Sequence, residues 1–230
     1  MARSVIVTGG FGVLGQAVAQ AFADAGYMVA RIDFAPNPHT PIDGALDIGG
    51  VDLTDAVATG GALGKVLDAH GGVDVLVNVA GGFTWETLEG GSLDSWARMQ
   101  SMNLMSNATI TKLALPQLIK SGAEGLGGRV INIGAGAAVK AGMGMGAYAA
   151  SKSGVHRLTE ALAEEVSAQG ITVNAILPSI IDTPTNRADM PDANFAEWVQ
   201  PAAIADVILF LASPEARAIT GALIPVTRGG

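Results

Sequence analysis

Tyr148 and Lys152, separated by Ala149, Ala150 and Ser151, are the pair in this sequence best suited to acid–base chemistry. A spacing of four sets both side chains on one face of a helix, a turn apart. An unperturbed phenol titrates near pH ~10, and an adjacent ammonium favours the phenolate. The pair is therefore expected to bring the phenol toward neutrality and make it a proton donor or acceptor. Tyr and Lys four apart commonly form only a surface pair, so their surroundings decide. His156 falls one turn beyond Lys152 on the same face and is read as a packed or interface histidine. His39 and His70 have no partners at metal-ligand spacing, and no metal site is expected.

A second constellation is Thr8-Gly9-Gly10-Phe11-Gly12-Val13-Leu14-Gly15, which follows the apolar run Val5-Ile6-Val7 and opens a helical pattern with Ala17, Ala21 and Ala25 facing back. Strand, glycine turn and helix in this order let the backbone approach a pyrophosphate, whose charge the free N–H groups and dipole of the helix start favour. Gly9, Gly10, Phe11, Gly12, Val13, Leu14 and Gly15 are therefore candidate dinucleotide contacts. Asp33 closes the next apolar run, near the spacing at which an acid binds the adenosine ribose hydroxyls. Its carboxylate would repel a 2′-phosphate, and the following Phe34 could not hold one. NAD(H) is expected in preference to NADP(H).

These residues need elements to hold them. Val5-Ile6-Val7, Met28 to Ile32, Val73 to Val77, Arg129 to Ile133 and Ile171 to Ile176 read as strands. Helical periodicity is clearest in Gly15 to Ala25, Ser92 to Lys120, Ala147 to Gln169 and Pro201 to Ala212. Such alternation predicts an α/β fold of Rossmann type: a doubly wound, mostly parallel sheet flanked by helices on both faces, with ligands beyond the C-terminal strand ends. One domain is expected over residues 1–230, because the chain is long enough for one core and shows no linker, repeat or low-complexity tract.

Composition narrows the function classes. The charge is −8 with no Lys/Arg cluster, so nucleic acid is not an expected partner. Cysteine is absent, which rules out thiolate catalysis and disulfides and fits the cytoplasm. No stretch reaches the ~18 unbroken apolar residues of a membrane span, and the first residues lack a signal-peptide pattern. The 31 glycines suit a ligand held by backbone.

The glycine turn, Asp33, Asp52-Leu53, Asn78-Val79-Ala80-Gly81, Asn103 and Tyr148/Lys152 occur in the order that resembles the short-chain dehydrogenase/reductase family, over essentially the whole chain. The resemblance implies a nicotinamide-dependent oxidoreductase. It places Asp52 and Leu53 at the adenine, Asn78, Ala80 and Gly81 behind the cofactor, and Asn103 on a proton-relay water. It also places Lys152 on the nicotinamide ribose, and Pro178, Ile181 and Thr183 at the nicotinamide end. A homodimer or homotetramer is implied, as the apolar content of the Ser92–Lys120 and Ala147–Gln169 helices also suggests.

Two positions depart from the family pattern. Val13 stands where the family has Gly, with Gly12 expected to take over the close approach. Ala135 stands thirteen residues before Tyr148, where the family carries its catalytic Ser, and no Ser occurs between Ser121 and Ser151. The dihydropteridine reductase branch of the family also has Ala there. It is similar in Gly134 to Ala138 and in Leu177-Pro178, Asp182-Thr183-Pro184, Asn186-Arg187, Met190-Pro191 and Phe195 to Trp198. A quinonoid pterin, protonated within a polarised ring, depends less on a Ser that grips a ketone. Phe83, Trp85 and Met143 are expected to receive a flat ring. Trp198 is expected either to cover the substrate or to anchor its loop. Alternatives are a ketone, alcohol or 3-oxoacyl reductase or dehydrogenase working without the Ser, and a non-catalytic NAD(H) sensor or scaffold.

Overall fold

The computed structural model describes residues 2–125 and 127–228. Seven strands form one sheet: β1 (Ser4–Thr8), β2 (Met28–Ile32), β3 (Leu46–Ile48), β4 (Val75–Asn78), β5 (Arg129–Ile133), β6 (Thr172–Pro178) and β7 (Leu223–Val226). All pair in parallel, in the order β3-β2-β1-β4-β5-β6-β7. The order reverses between β1 and β4, which opens a crevice at their C-terminal ends, where Thr8 pairs with Asn78.

The helices are α1 (Val13–Asp24), α2 (Ala56–His70), α3 (Leu93–Met99), α4 (Ser106–Ala123), α5 (Gly146–Glu165), α6 (Pro184–Asp189) and α7 (Pro201–Ala212). Alternation along β1 divides the core: Val5 and Val7 face Val18 and Phe22 of α1 and Ile204 and Ile208 of α7. Ile6 faces the opposite side, with Leu63 and Val66 of α2, Ile110 and Leu118 of α4, and Leu162 of α5. All these side chains are buried, so strands covered on both faces read as continuous apolar runs.

Four features differ from the sequence reading. The helix expected over Ser92–Lys120 is two helices joined by a π-helical turn at Gln100–Met105 that contains Asn103. The one expected over Ala147–Gln169 ends at Glu165, with a 3₁₀ turn at Ser167–Gln169. Helix α2 had no periodic signal because Gly60, Gly61 and Gly64 interrupt it, yet Asp55 caps its start by accepting from Val57 N–H at 2.8 Å. Strand β7 escaped notice because it carries Pro225, which an edge strand tolerates.

Candidate active site

The turn after β1 is shaped by glycine. Gly9 has φ +61°, and a Cβ there would come within 2.9 Å of the Ala80 main chain at the end of β4. A Cβ on Gly15 would strike the Gly9 carbonyl, so the first turn of α1 packs directly on the loop. Gly12 begins α1 without a side-chain cap, which leaves the first N–H groups of that helix without side-chain partners. A Cβ on Gly12 would meet nothing closer than 3.5 Å, so that glycine is not forced by contacts within the protein. Val13 is 45% exposed beside it.

These residues open onto a cleft of about 920 Å³ between the ends of β1, β2 and β4. Gly9, Phe11, Gly12, Val13, Leu14 and Gly15 form one wall. Asp33, Asp52 and Leu53 line one end, and Ala80, Gly81 and Thr183 continue the lining. Gly10 is turned from the cleft against Arg31. Asp33 accepts from Phe11 N–H and from Ala35 N–H, both at 2.9 Å, which fixes its carboxylate at the end of β2. The Phe11 ring covers Arg31, whose guanidinium is buried and bound to Asp47 at 2.6 and 2.7 Å. That cation is therefore withheld from the cleft. Asp52 accepts from the Thr54 hydroxyl at 2.7 Å and its N–H at 2.9 Å, and these bonds hold its carboxyl below the usual carboxylate range. The uncapped helix start, the close main-chain approach at Gly9 and the fixed acid at Asp33 together fit a dinucleotide.

Asn78 does not belong to this lining. Its amide points under the sheet end and donates to Asn132 Oδ1 at 2.9 Å, Thr111 Oγ1 at 3.0 Å and Asn107 Oδ1 at 3.2 Å. This buried polar network ties β4 and β5 to α4, and the residues after Asn78 carry the cleft wall. Pro178 ends β6, and Ile181 forms a bridge with Val199. Both stand behind Thr183, whose hydroxyl accepts from Asn186 N–H at 3.2 Å and starts α6.

Beyond Gly81 lie the residues of the catalytic expectation. Asn103 holds Gly82 at two points, accepting from its N–H at 2.9 Å and donating to its carbonyl at 3.1 Å. It also donates to Ser151 Oγ at 2.9 Å, and Ser151 donates to the Tyr148 carbonyl at 2.7 Å. Both hydrogens of the Asn103 amide are thus engaged within the protein, and its oxygen is fixed on Gly82. Ser151 is a residue that sequence reasoning missed; its place inside the Tyr148–Lys152 spacing was the available signal. Lys152 is buried and donates to Ile133 O at 2.8 Å.

The proton affinities correct one expectation. Burial pushes the Tyr148 phenol up to about 12, and burial pulls Lys152 down to about 8. The ammonium was expected to lower the phenol. In the protein alone desolvation dominates, and Lys152 points to the Ile133 carbonyl. At neutral pH the phenol is therefore protonated and the lysine is still charged.

Phe83 meets Tyr148 edge-on, with ring centroids 4.9 Å apart. Trp85 lies over Gly144, whose φ of +75° and crowded Cβ position leave room only for the indole. Phe83, Trp85 and Met143 are all more than half exposed. Trp198 is 5% exposed and packs on Phe195 at 4.7 Å. It anchors its loop from below and is not a cover over the site. Ala135 is buried at the end of β5, and its N–H is bound to His156.

A family model described as short chain dehydrogenase matches residues 3–194. The chain is 31% identical to 3-oxoacyl-(acyl-carrier-protein) reductase of Vibrio cholerae, across 99% of this chain and 96% of that protein. It is 32% identical to 2,5-dichloro-2,5-cyclohexadiene-1,4-diol dehydrogenase of Sphingobium indicum, across 99% and 95%. Among solved structures it superimposes with TM-score 0.87 and 25% identity on a 3-ketoacyl-(acyl-carrier-protein) reductase of Brucella melitensis complexed with NADH, covering 97% and 96% of the two chains. Ligand-free aldohexose dehydrogenase of Thermoplasma acidophilum gives TM-score 0.88 at 28% identity, covering 99% and 93%. With the glycine turn, the acid at the end of β2 and the Tyr148/Lys152 pair already in place, these matches make the chain a member of the short-chain dehydrogenase family of nicotinamide-dependent oxidoreductases.

Proposed function

We propose that this protein is an NADH-dependent reductase in which Tyr148 gives the proton and Lys152 steadies the phenolate left behind. The observation that carries the reading is geometric: Tyr148 and the buried Lys152 stand a turn apart on α5, and Lys152 Nζ lies against Gly81, where the wall of the dinucleotide cleft ends. When bound, reduced nicotinamide supplies the hydride. Tyr148 O–H then transfers its proton to the atom of the substrate that gains electron density, and the Lys152 ammonium stabilises the phenolate. Gly9, Gly12, Val13 and the start of α1 would hold the pyrophosphate, Asp52 and Leu53 would meet the adenine, Ala80 and Gly81 the nicotinamide riboside, and Thr183 the carboxamide. Preference for NADH rests on Asp33, a fixed carboxylate where a 2′-phosphate would lie, and on the withdrawal of Arg31 behind Phe11.

The substrate we propose is a planar conjugated ring of the quinonoid dihydropterin kind. Ala135 offers no hydroxyl and its N–H is occupied, so Tyr148 is the donor left for a substrate atom at this strand end. Phe83, Trp85 and Met143 provide exposed apolar surface beside Tyr148 for a flat ring. A second reading, reduction of a 3-oxoacyl or other carbonyl, is favoured by the activities named for the Vibrio and Brucella relatives. The test follows loss of reduced-nicotinamide absorbance with quinonoid dihydropterin, acetoacetyl thioester and a ketone panel, using NADH and NADPH in parallel. Turnover of the pterin with NADH supports the first reading, and turnover of the thioester alone supports the second. No turnover with any of them supports a sensor or scaffold. We further propose that the protein acts as one cytoplasmic domain in a homodimer or homotetramer, which sedimentation of the purified protein tests.

A further inference from the structure

One buried titratable side chain has no part in that chemistry. His156 is 2% exposed and stands on α5 one turn beyond Lys152, facing the end of β5. Its Nε2 lies 3.3 Å from the Ala135 nitrogen. A main-chain N–H can only donate, so Nε2 is the acceptor and the imidazole is neutral, with its proton on Nδ1. Two residues earlier, Ile133 gives its carbonyl to Lys152 Nζ at 2.8 Å. Gly134, between them, donates its N–H to Ile176 O at 2.8 Å and has no room for a side chain, because a Cβ would stand 2.5 Å from the His156 ring. All three residues at the end of β5 are therefore fixed, two of them by α5 side chains a turn apart.

We propose that His156 is a positioning residue: it clamps Ala135 through Nε2, holds the β5 end whose Ile133 carbonyl seats Lys152, and denies the Ala135 N–H to the substrate. A protonated imidazole cannot accept, so the clamp exists only while His156 is neutral. Burial favours the neutral ring, as do the charges of Arg157 and Lys152, whereas Glu160 opposes it. From the strands, the ring meets Gly134 of the β5 end and lies by Leu177 of β6, neither of them charged. The clamp is thus closed at neutral pH and opens on acidification.

The role in turnover rests on the hydride-transfer reading, whereas the clamp itself is measurable without substrate. In ¹⁵N-labelled protein, long-range ¹H–¹⁵N spectra at neutral pH are expected to show the Nδ1–H tautomer of His156, and the Ala135 amide should titrate with the ring. In His156→Gln, whose side-chain carbonyl can accept but does not titrate, the Ala135 amide should no longer respond to acid. An Nε2–H tautomer, or an Ala135 amide indifferent to His156, overturns the proposal. In turnover, His156→Phe should lower kcat at least about tenfold with NADH affinity held within about threefold, and Gln should recover much of the loss without the acid limb of the pH profile. A Phe variant with wild-type kcat, or a Gln variant with the wild-type acid limb, counts against the role. If Phe fails to fold, the tautomer and the Gln profile still decide. Full activity in Tyr148→Phe would instead sink the hydride-transfer reading and leave the spectroscopic result standing.

Discussion

At the scale of single residues, the site is defined as much by Ala135 as by Tyr148. Tyr148→Phe removes only the hydroxyl; the ring still packs edge-on against Phe83, and the main-chain carbonyl still accepts from Ser151. Its kcat is expected to fall by about 10²–10⁴, the usual worth of a general acid, with little change in NADH affinity by fluorescence quenching. Ala135→Ser adds one oxygen at a buried strand end that already holds its main chain in place. The new hydroxyl gives a carbonyl oxygen a second donor, and a hydrogen bond of about 1.4 kcal/mol realised in the transition state is a tenfold rate gain. Reduction of acetoacetyl thioester should rise by that order while pterin reduction does not. An unchanged or lower thioester rate would show that Ala135 is not what limits carbonyl substrates.

At the scale of elements, the segment between β6 and α7 shows how a loop is held in place over a cleft. The Ile181–Val199 bridge closes its ends. Inside it Asp182 accepts from Arg187 at 2.5 and 2.7 Å and from Gln200 at 2.8 Å, and the guanidinium lies 4.7 Å from the centre of the Phe195 ring. Arg187 first, then Gln200, hold the Asp182 carboxyl at about 2, so this staple persists in moderate acid. Arg187→Ala should free Thr183, raising KM for NADH several-fold with a small change in Tm and faster proteolysis between Asp182 and Trp198. Arg187→Lys keeps the charge without the two-point bond or the planar stack and should rescue little. A KM equal to wild type in the Ala variant would show that the loop is held without the staple. The glycine turn, the acid at β2 and five strands were legible because each rests on local sequence pattern. Helix α2 was not, since its glycines oppose helix, and the Asp55 and Gly71 caps and the packing of Ala62, Leu63 and Val66 secure it. The π-helical turn was equally invisible, because it serves a contact between Asn103 and Gly82 that spans 21 residues. The inward turn of Asn78 arises from partners on α4 and β5 that no spacing could announce.

At the scale of the whole molecule, the buried Lys152 and the half-buried Tyr148 set a pH dependence of stability that opposes function. Lys152 titrates at about 8 when folded against an ordinary 10.5. Between these values the unfolded chain binds the extra proton, so stability rises with pH across that window. Below about 8 both states are protonated, and the full cost of burying the ammonium is present. Tyr148 works in the other direction: it titrates at about 12 when folded against 10.0, so stability falls as pH rises from 10 to 12. The lysine difference corresponds to about 3 kcal/mol at about 1.4 kcal/mol for each pH unit. Lys152→Met removes the buried charge but forfeits the bond to Ile133 O, worth about 1 kcal/mol. The variant should therefore be inactive yet about 2 kcal/mol more stable than wild type in urea at pH 7, with the gap closing toward pH 10 as the wild-type lysine loses its proton. A Met variant no more stable than wild type at pH 7 would mean that the ammonium is compensated where it stands, and that the site exacts no cost from the fold.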